Sequence, residues 1–384
     1  MEGADRYPPG DRVMAVPMPD AEPITRWTVY VRQLAYARAV QWSDMTETGA
    51  TFVVLRIETE SGCAGAAEVA VKPTWVGATA ASLCSVLAEI FEPLVRGQGL
   101  ADPRRTRAAL DTIPGNAPAK ALIDNACWDW LAARSGVPLW RQRNGQPKVP
   151  VSWAVTRQPP DAMAREAGDM VARHGFRTLK IKGGQGLDVD LACMAAVRHA
   201  VGDGVAMYVD ANGAYPTEQA DTYARAMIEA GAVAVEDPCA FAPDREFSLL
   251  QQALDTPLLV DFGMTDARDA RLFLERGARA LSIKPGRFGL TQAWQMQHLA
   301  QAAGATAVAG LMGESALGTW AGLQFASTMP RPLLPAELTW FLAMREQFVA
   351  DTPRIVDGTV AMPEWASVCE CIDWAAMAGF EVAT

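Results

Sequence analysis

The amino-acid sequence predicts a closed barrel of alternating parallel strands and helices, preceded by a separate α+β domain. From about Val149 onward, short apolar runs alternate with helical stretches, which is the pattern of βα units and of a parallel sheet. Five of these runs end in a charged residue, at intervals of 23 to 28 residues. Upstream of them, strand patterns and helix patterns occur in separate blocks, which is typical of an α+β domain.

The length and composition are compatible with this architecture and exclude several functional classes. A chain of 384 residues can hold a barrel of about 250 residues and an appended domain. The net charge of −10 and the lack of a basic run argue against a nucleic-acid partner. No apolar run is long enough for a membrane span. The start of the chain does not resemble a signal peptide, and the seven cysteines are scattered, so we expect a cytoplasmic protein with reduced thiols.

Four segments are predicted along the chain. Residues 1–23 are rich in Pro and Asp and are expected to form a poorly ordered leader. Residues 24–146 form the α+β domain, in which Ser61-Gly62 marks a turn between two strands. Residues 147–344 form the barrel. Residues 345–384 are expected to leave the barrel and pack back on the first domain.

Seven apolar runs are interpreted as barrel strands, namely VPVSWAV, FRTLKIK, VAMYVDA, VAVED, LLVDF, ALSIK and ATAVAGLMGE. An eighth strand near Leu333–Leu338 is weakly marked. Charged residues follow many successive strands, whereas an open sheet would gather its ligands at one switch point. The pattern therefore favours a closed barrel, in which every strand ends at the same rim.

Three carboxylates, Asp210, Glu236 and Asp261, end consecutive strands. At one rim they would repel one another unless a cation neutralised them. Oxygen-only ligands suit a hard divalent ion, so the pattern predicts a Mg²⁺ site, with Mn²⁺ as the other possibility. Each acid alone would be interpreted as a helix cap or a solvated loop residue. The matched spacing of all three favours the metal site.

Lysines flank these acids on both sides along the sequence. Lys180 and Lys182 are two residues apart in a strand, so both side chains point to the same face. Each ammonium opposes protonation of the other, and a metal ion would act in the same direction, so we expect lowered pKa values and a competent general base. The alternative is a pair of surface lysines on an edge strand.

Lys284 ends the sixth strand, across the barrel from the lysine pair. A base and an acid on opposite faces of a substrate can remove the proton next to a carboxylate and return one from either side. The cation would stabilise the resulting enolate. Alone, a lysine at this position would be interpreted as a helix cap or a solvated side chain.

Six short motifs add a more specific signal, namely KIK at 180–182, VDANGAY at 209–215, EDP at 236–238, Asp261, SIKPGR at 282–287 and GES at 313–315. Together they resemble the motifs of the enolase superfamily, in the muconate-lactonizing-enzyme-like subgroup of the mandelate racemase/muconate lactonizing enzyme family. The resemblance covers most of the chain. It implies a modified (β/α)7β TIM barrel, with an α+β capping domain built from the N-terminal region and the C-terminal tail.

The resemblance also implies roles for individual residues. Asp210, Glu236 and Asp261 would be the Mg²⁺ ligands. Lys182 would be a base whose pKa Lys180 adjusts, and Lys284 would be the acid or base on the other face. Two departures stand out: Phe262 and Gly263 follow Asp261 where relatives have Glu-Ser, and the C-terminal PEWASVCECIDW lacks the usual glycine-rich segment. We expect the first departure to change the hydrogen bonding around Lys284.

Candidate substrate-binding residues lie at loops of the barrel and of the capping domain, namely Glu314, Asn212, Trp42, Lys72, Trp75 and Trp340. Glu314 is expected near the substrate carboxylate or enolate, with a helix N-terminal acid as the alternative. Trp42 belongs to a stretch from Tyr36 to Thr51 expected to be mobile. Tryptophan faces can hold a quaternary ammonium, so a betaine-like substrate is one option, and ordinary core packing is the other.

The leading functional hypothesis is a Mg²⁺-dependent racemase or epimerase of a small carboxylate or amino-acid derivative. A muconate-type cycloisomerase or a dehydratase would use the same lysines and acids. A metal- or ligand-binding homologue without catalysis is the alternative from another class. The expected partner is a small-molecule carboxylate, with neither nucleic acid nor membrane, and the resemblance implies a homo-oligomer.

Overall fold

The structure is a computed structural model that describes residues 18–43 and 45–382. The first 17 residues of the predicted leader (1–23) lie outside the described part. In the remainder of that segment, Glu22 and Leu100 exchange two backbone hydrogen bonds of 2.8 Å. No helix in the described part is long and apolar enough to cross a membrane.

The capping domain is built on an antiparallel sheet. Its strands are β1 (Ile24–Gln41), β2 (Thr46–Thr59) and β3 (Ala64–Ala70), with the last strand, β14 (Glu381–Val382), pairing along β1. The predicted turn at Ser61-Gly62 joins β2 to β3, and Gly62 there has a left-handed φ of +79°, which glycine adopts without strain. The C-terminal segment thus reaches the N-terminal sheet.

In the described part of this domain the structure has six α-helices and one π-helical segment, Leu87–Phe91. The α-helices are α1 (Pro73–Val76), α2 (Ala80–Val86), α3 (Glu92–Gln98), α4 (Pro103–Leu110), α5 (Ala117–Ser135) and α6 (Leu139–Gln142). Helix α5 is buried on nearly every face, because it lies between β3 and the barrel. Gly65 of β3 makes this packing possible, since any Cβ there would collide with the backbone of α5. Helix α5 is capped by Gly136 in the left-handed conformation, which is common at helix ends.

The second sheet is parallel and has seven neighbouring strands in chain order: β5 (Trp153–Val155), β6 (Thr178–Lys182), β7 (Ala206–Asp210), β8 (Ala232–Glu236), β9 (Leu258–Val260), β10 (Ala280–Ile283) and β11 (Thr306–Ala309). The helices that follow them are α7 (Pro160–His174), α8 (Leu187–Val201), α9 (Ala220–Glu229), α10 (Arg245–Gln252), α11 (Ala267–Glu275), α12 (Pro285–Phe288), α13 (Leu290–Ala302) and α14 (Ala316–Ser327). A further short helix, α15 (Trp374–Met377), precedes β14.

Residues 333–337 close the barrel, where the sequence weakly predicts an eighth strand. The amides of Leu333 and Glu337 donate to carbonyls of β11 at 3.0 and 2.9 Å. On the other side, the amide of Ser152 donates to the carbonyl of Ala336 at 2.8 Å. The parallel sheet thus has hydrogen-bonded partners at both edges. The predicted fold class, a modified (β/α)7β barrel with an α+β capping domain, is confirmed.

One predicted strand is divided in two. The run VPVSWAV forms β4 (Lys148–Pro150) and β5, and only β5 belongs to the barrel. Strand β4 pairs with β13 (Thr359–Ala361), which pairs with β12 (Ile355–Val356) in a small antiparallel sheet. Pro150 has no amide hydrogen to continue a ladder. The amide of Val151 still donates to Gly358 beside β13, and the chain changes partners at Ser152, whose amide donates to Ala336.

The interior of the barrel has an apolar layer below its charged rim. The side chains in this layer come from successive strands and from the closing segment, namely Tyr208, Ala234, Leu259, Ala280, Val308 and Leu334. Such a layer makes the barrel a packed core rather than a pore. The charged residues at the ends of the strands therefore lie above a packed apolar layer.

Candidate active site

The carboxyl ends of the barrel strands and two segments of the capping domain line a narrow cavity of about 30 Å³. In this arrangement the cavity is smaller than a typical small-molecule site. Lys180, Lys182 and Lys284 line it from the barrel, and Lys72 and Glu47 line it from the capping domain. The structure thus brings the three predicted catalytic lysines together in one enclosed space.

Lys180 is surrounded by carboxylates. Its ammonium lies 3.0 Å from Asp210 Oδ2, 2.7 Å from Glu236 Oε2 and 2.9 Å from Glu337 Oε1. The side chain is almost fully buried. Burial opposes the charge of this ammonium, but the three acids together outweigh it and hold the pKa of Lys180 well above its ordinary value.

Lys182 projects to the same side but meets fewer acids. Its ammonium donates to Asp210 Oδ2 at 2.6 Å and to Asn212 Oδ1 at 3.0 Å. Burial lowers the pKa of Lys182, and although Asp210 opposes this effect, Lys180 adds to it. The expected lowering of both lysine pKa values therefore holds for Lys182 and is wrong for Lys180 in this structure. The difference arises because Lys180 contacts Glu236 and Glu337 in addition to Asp210, and the sequence analysis did not include Glu337.

Lys284 lies on the other side of the carboxylates, where its ammonium contacts Asp261 Oδ2. Arg287 approaches the other oxygen of Asp261 at 3.5 Å. Burial disfavours the charge on Lys284, but Asp261 more than compensates, so the pKa of Lys284 is raised. The lysine passes directly in front of Gly310, where an added Cβ would lie 2.9 Å from its Cε. The absence of a side chain at Gly310 leaves the space for Lys284.

Glu236 shows whether a cation fits this site. Its carboxylate is 0% exposed, and neither oxygen accepts a hydrogen bond from a described residue, although Lys180 lies close in charge contact. Burial comes first in raising the pKa of Glu236 well above normal, and Asp210 adds to it. A buried carboxylate without hydrogen bonds is costly unless an ion neutralises it. The oxygen-only donor set of Asp210, Glu236 and Asp261 fits Mg²⁺ or Mn²⁺.

The three acids are nevertheless not gathered around one point. Within residues 18–43 and 45–382, no three acidic, histidine or cysteine side chains are grouped closely enough to hold a metal ion. Lys180 lies between Asp210 and Glu236, and Lys284 contacts Asp261. Ammonium groups thus lie between the three acids in this arrangement. The assignment of Asp210, Glu236 and Asp261 as metal ligands stays a prediction.

Glu337 is the main site residue that the sequence analysis missed. It lies at the end of the closing segment, and its Oε1 accepts from Lys180 at 2.9 Å and from the hydroxyl of Tyr208 at 2.6 Å. A signal was present, because Glu337 follows an apolar run at the barrel rim, as the metal-ligand candidates do. The irregularity of the closing segment hides that signal.

The capping domain contributes aromatic and charged walls. The ring centroid of Trp42 is 5.6 Å from Lys182 Nζ, and that of Trp75 is 5.4 Å from Lys284 Nζ. Lys72 pairs with Glu47, with Nζ 2.6 Å from Oε2. Trp42, Trp75 and Lys72 thus line the cavity as predicted candidates should. Glu47 was missed, because nothing in the strand TETGATF distinguishes it from a solvated acid.

Phe262, one of the two departures noted in the sequence, contacts the capping domain. Its ring lies edge-on to Trp75, with centroids 6.1 Å apart. The amide of Phe262 donates to Asp237 Oδ2 at 2.6 Å, which fixes the backbone after Asp261. Gly263 is required next to it, because a Cβ would lie 2.8 Å from both the carbonyl oxygen of Phe241 and the ring of Phe273. Phe262 thus packs against Trp75, which lines the cavity from the capping domain.

Three predicted substrate contacts lie away from the cavity wall. Glu314 turns back to accept from the amide of Met312 at 2.8 Å. Trp340 stacks behind Trp42, with ring centroids 4.1 Å apart. Asn212 holds Lys182 through its side-chain oxygen. These three residues contact other residues of the site instead of the cavity, because neighbouring residues lie nearer to it.

Buried hydrogen bonds join helix α5 to the segment that follows Lys284. Asp124 Oδ2 accepts from the amide of Thr291 at 2.7 Å, and Asn125 Oδ1 accepts from the amide of Leu290 at 2.8 Å. Both acceptors cap the start of α13, where free amide groups favour such partners. Trp128 donates to Thr291 Oγ1 at 2.8 Å.

A second anchor links Glu68 of β3 to the barrel. Its carboxylate accepts from the amide of Ser315 at 2.8 Å and also contacts the Ser315 hydroxyl. Burial raises the pKa of Glu68 to about 8. This contact fixes the GES segment, which follows β11, against the capping sheet.

Comparison with known proteins places these features in context. Residues 26–141 match the model of the mandelate racemase/muconate lactonizing enzyme N-terminal domain, and residues 162–366 match that of the enolase C-terminal domain-like family. The chain is 30% identical over 334 residues to the N-succinylamino acid racemase of Thermus thermophilus, covering 84% of this chain and 87% of that protein.

Solved structures share the fold. A muconate lactonizing enzyme from Pseudomonas fluorescens complexed with muconolactone superposes with a TM-score of 0.88 at 22% identity, covering 94% of this chain and 100% of the other. A dipeptide epimerase from Enterococcus faecalis, complexed with Mg and the dipeptide L-Leu-L-Tyr, gives a TM-score of 0.82 at 24% identity, covering 90% and 99%. Both similarities concern architecture.

Proposed function

The chain belongs to the mandelate racemase/muconate lactonizing enzyme family of the enolase superfamily, and on that premise we propose that it is a Mg²⁺-dependent racemase or epimerase of a small carboxylate. The observation that carries the proposal is the position of two buried lysines on opposite sides of three buried acids. Lys182 contacts Asp210 at one end of the group, and Lys284 contacts Asp261 at the other. Such a pair can serve both faces of one carbon atom.

Asp210, Glu236 and Asp261 would hold the divalent cation. When bound, Mg²⁺ would supply positive charge that favours removal of a proton next to a carboxylate. The oxygen donor set supports this assignment, and so does the full burial of Glu236, because a buried carboxylate needs a cation beside it.

The chain's own residues supply the proton transfers. Lys182, in its neutral form, takes the proton from one face of the α-carbon, while Lys284 in its charged form gives a proton to the other face. In the reverse direction the two exchange roles. Lys180 stays charged between Asp210 and Glu236 and stabilises the negative charge that develops on the substrate. Trp42 and Trp75 cover the lysines and exclude water.

Exchange of the α-hydrogen with deuterium tests this proposal. We expect the purified protein with Mg²⁺ to exchange the α-hydrogen of both enantiomers of an accepted carboxylate in D₂O, observed by NMR. Lys182→Ala should abolish exchange from one enantiomer, and Lys284→Ala should abolish exchange from the other. Full exchange in both variants would refute the two-base mechanism. A protein that binds Mg²⁺ or a carboxylate but exchanges no α-hydrogen would support the non-catalytic alternative.

A cycloisomerase or a dehydratase would use the same acids and lysines as the proposed racemase. Analysis of the products therefore separates them from racemisation. The pairing of two lysines across the acids favours the racemase, because return of a proton to the opposite face needs a second acid–base group.

A further inference from the structure

Arg157 is a buried arginine next to the site, and the proposed reaction does not use it. It follows β5 and is 5% exposed, and it is not among the residues that line the cavity. Its guanidinium donates from Nε to the carbonyl of Gly183 at 2.6 Å and from Nη2 to the carbonyl of Ala211 at 3.2 Å. One planar group thus bridges the segments that follow β6 and β7, and the rigid fork of a guanidinium suits such a bridge.

The two carbonyls belong to the residues directly after Lys182 and Asp210. Gly183 follows Lys182 and Ala211 follows Asp210, at the point where both strands end. The amide of Gly183 donates to the carbonyl of Asp210 at 2.9 Å, and Lys182 Nζ lies 2.6 Å from Asp210 Oδ2. The guanidinium therefore holds the backbone of the proposed base and of its acidic partner from outside the cavity.

The fold leaves space for this guanidinium at Gly184. The residue has a left-handed φ of +85°, and a Cβ on it would lie 2.2 Å from Nη2 of Arg157 and 2.8 Å from the carbonyl oxygen of Ala211. Because no side chain is present there, the guanidinium reaches both carbonyls. Hydrogen bonds from a charged donor are stronger than neutral ones, and buried carbonyls that lose their donor are costly. The bridge thus restrains both segments.

Lys284 is held by different contacts on the other side of the acids. It contacts Asp261 and passes in front of Gly310. Its strand, β10, is separated from β6 and β7 by β8 and β9 in the order of the sheet. A change in the guanidinium of Arg157 should therefore displace Lys182 more than Lys284.

We propose that Arg157 is a positioning residue for the Lys182 half of the reaction: its guanidinium fixes Lys182 relative to Asp210, so that proton transfer at the Lys182 face depends on it more than transfer at the Lys284 face. The inference rests on the proposed function, since it concerns the same two lysines. The backbone amide of Arg157 also donates to the carbonyl of Gln41 at 2.9 Å. This separate contact with the capping domain is retained in any side-chain variant.

Arg157→Met tests the proposal, because it replaces the guanidinium with an apolar side chain. Exchange of the α-hydrogen in D₂O is measured for each enantiomer of an accepted carboxylate, and Lys182→Ala identifies the enantiomer that reports on the Lys182 face. Saturating Mg²⁺ keeps a change in metal affinity out of the comparison. A displacement of about 1 Å can cost about a hundredfold in rate, so we expect kcat at the Lys182 face to fall roughly 10- to 100-fold and the ratio of the two faces to change about tenfold or more. KM should change little, because Arg157 does not line the cavity.

The matched control is Arg279→Met. Arg279 also bridges backbone carbonyls, since it donates to Thr256 at 2.9 Å and to Leu254, but it directly precedes β10 and lies at the opposite end of the barrel strands. Its loss should lower the thermal stability and leave the ratio of the two faces unchanged. A merely structural role of Arg157 would give the same result as this control. Equal losses at both faces in Arg157→Met would therefore overturn the proposal.

Amide hydrogen exchange of the protein, followed by mass spectrometry, gives a measurement that does not depend on activity. In Arg157→Met the amides of residues 183–186 and 211–214 should exchange faster, while those of residues 284–288 keep their wild-type rates. A uniform increase, or none, would overturn the bridge. If the wild type exchanged no α-hydrogen of any carboxylate, the proposed function would fail, and the amide rates would still decide for or against the bridge.

A second variant keeps the test decisive if Arg157→Met does not fold. Arg157→Lys retains the positive charge but lacks the planar fork. It should change the amide rates of the same two segments and the ratio of the two faces in the same direction. Wild-type values for both measurements in Arg157→Lys would overturn the proposal.

Discussion

Gly310, the residue after β11, offers a sharp test of how tightly Lys284 is positioned. A methyl group at this position would lie 2.9 Å from Cε and 3.0 Å from Cγ of Lys284, and it would also collide with the Ser282 hydroxyl. The backbone of Gly310 does not have a positive φ, so alanine is not excluded by backbone strain. The effect of Gly310→Ala should therefore come from displacement of the Lys284 and Ser282 side chains.

The size of the effect follows from these distances. Carbon atoms in contact are normally about 3.5–4.0 Å apart, so Lys284 must move by roughly 0.5–1 Å. A displacement of about 1 Å in a reacting group can cost about a hundredfold in rate. Overpacking of this kind costs about 1–3 kcal/mol of stability. We therefore expect α-hydrogen exchange through Lys284 to fall by one to two orders of magnitude in a protein that still folds.

The assay measures exchange separately from each enantiomer of an accepted substrate. Exchange that begins at the Lys284 face should fall more than exchange that begins at the Lys182 face. Gly168→Ala, on helix α7, is the matched control, because its methyl group would meet no atom within 4 Å and should slightly stabilise the helix. Unchanged exchange at the Lys284 face in Gly310→Ala would show that the lysine is not held in this position during reaction.

Three further predictions concern stability. Glu337→Leu should lower the free energy of unfolding by about 3–5 kcal/mol in urea titrations, because it removes one of the carboxylates that pair with buried Lys180. Tyr208→Phe, which removes only a hydrogen bond to Glu337, should cost about 1 kcal/mol. Equal losses in the two variants would contradict the role of the Glu337 charge. The pKa of Glu68 is raised by burial from 4.5 to about 8, with Glu314 acting in the same direction, so stability should fall by about 1.4 kcal/mol per pH unit as pH rises from about 4.5 to 8. Glu68→Gln should reduce the slope by that amount, since other buried acids such as Asp129 contribute in the same direction, and an unchanged slope would exclude a contribution from Glu68. Mg²⁺ at a hundredfold excess over its Kd should raise the free energy of unfolding of the wild type by about 2.7 kcal/mol, and EDTA should reverse this gain. A comparable gain in Glu236→Gln would argue against the metal site.

Much of the architecture can be predicted from the sequence, because strand ends in a parallel barrel share one rim. Apolar runs followed by a charged residue located Lys182, Asp210 and Glu236 without any knowledge of their contacts. The closing segment was harder, because residues 333–337 form backbone hydrogen bonds without a regular alternating pattern. Glu337 was therefore overlooked.

The side-chain geometry could not be predicted in the same way. Spacing shows that Lys180 and Glu236 end neighbouring strands, but not that the ammonium lies between two acids and reverses the expected pKa shift. Likewise, Glu47 and Lys72 are far from the barrel motifs along the chain. Their pairing depends on how the capping domain packs, which no local pattern in the sequence records.

The contacts of helix α5 restrict how a substrate can reach the cavity. Asp124 and Asn125 are buried where they bind the start of α13, and Glu68 is buried against Ser315. Rotating the whole capping domain away would expose and break all of these bonds at once. The stretch that leads to Trp42 is tied to the barrel as well, because Arg38 pairs with Glu166 of α7 and the carbonyl of Gln41 accepts from the amide of Arg157 at 2.9 Å. We therefore expect a substrate to enter by local displacement of the short segment that carries Trp75, while the rest of the capping domain stays in place.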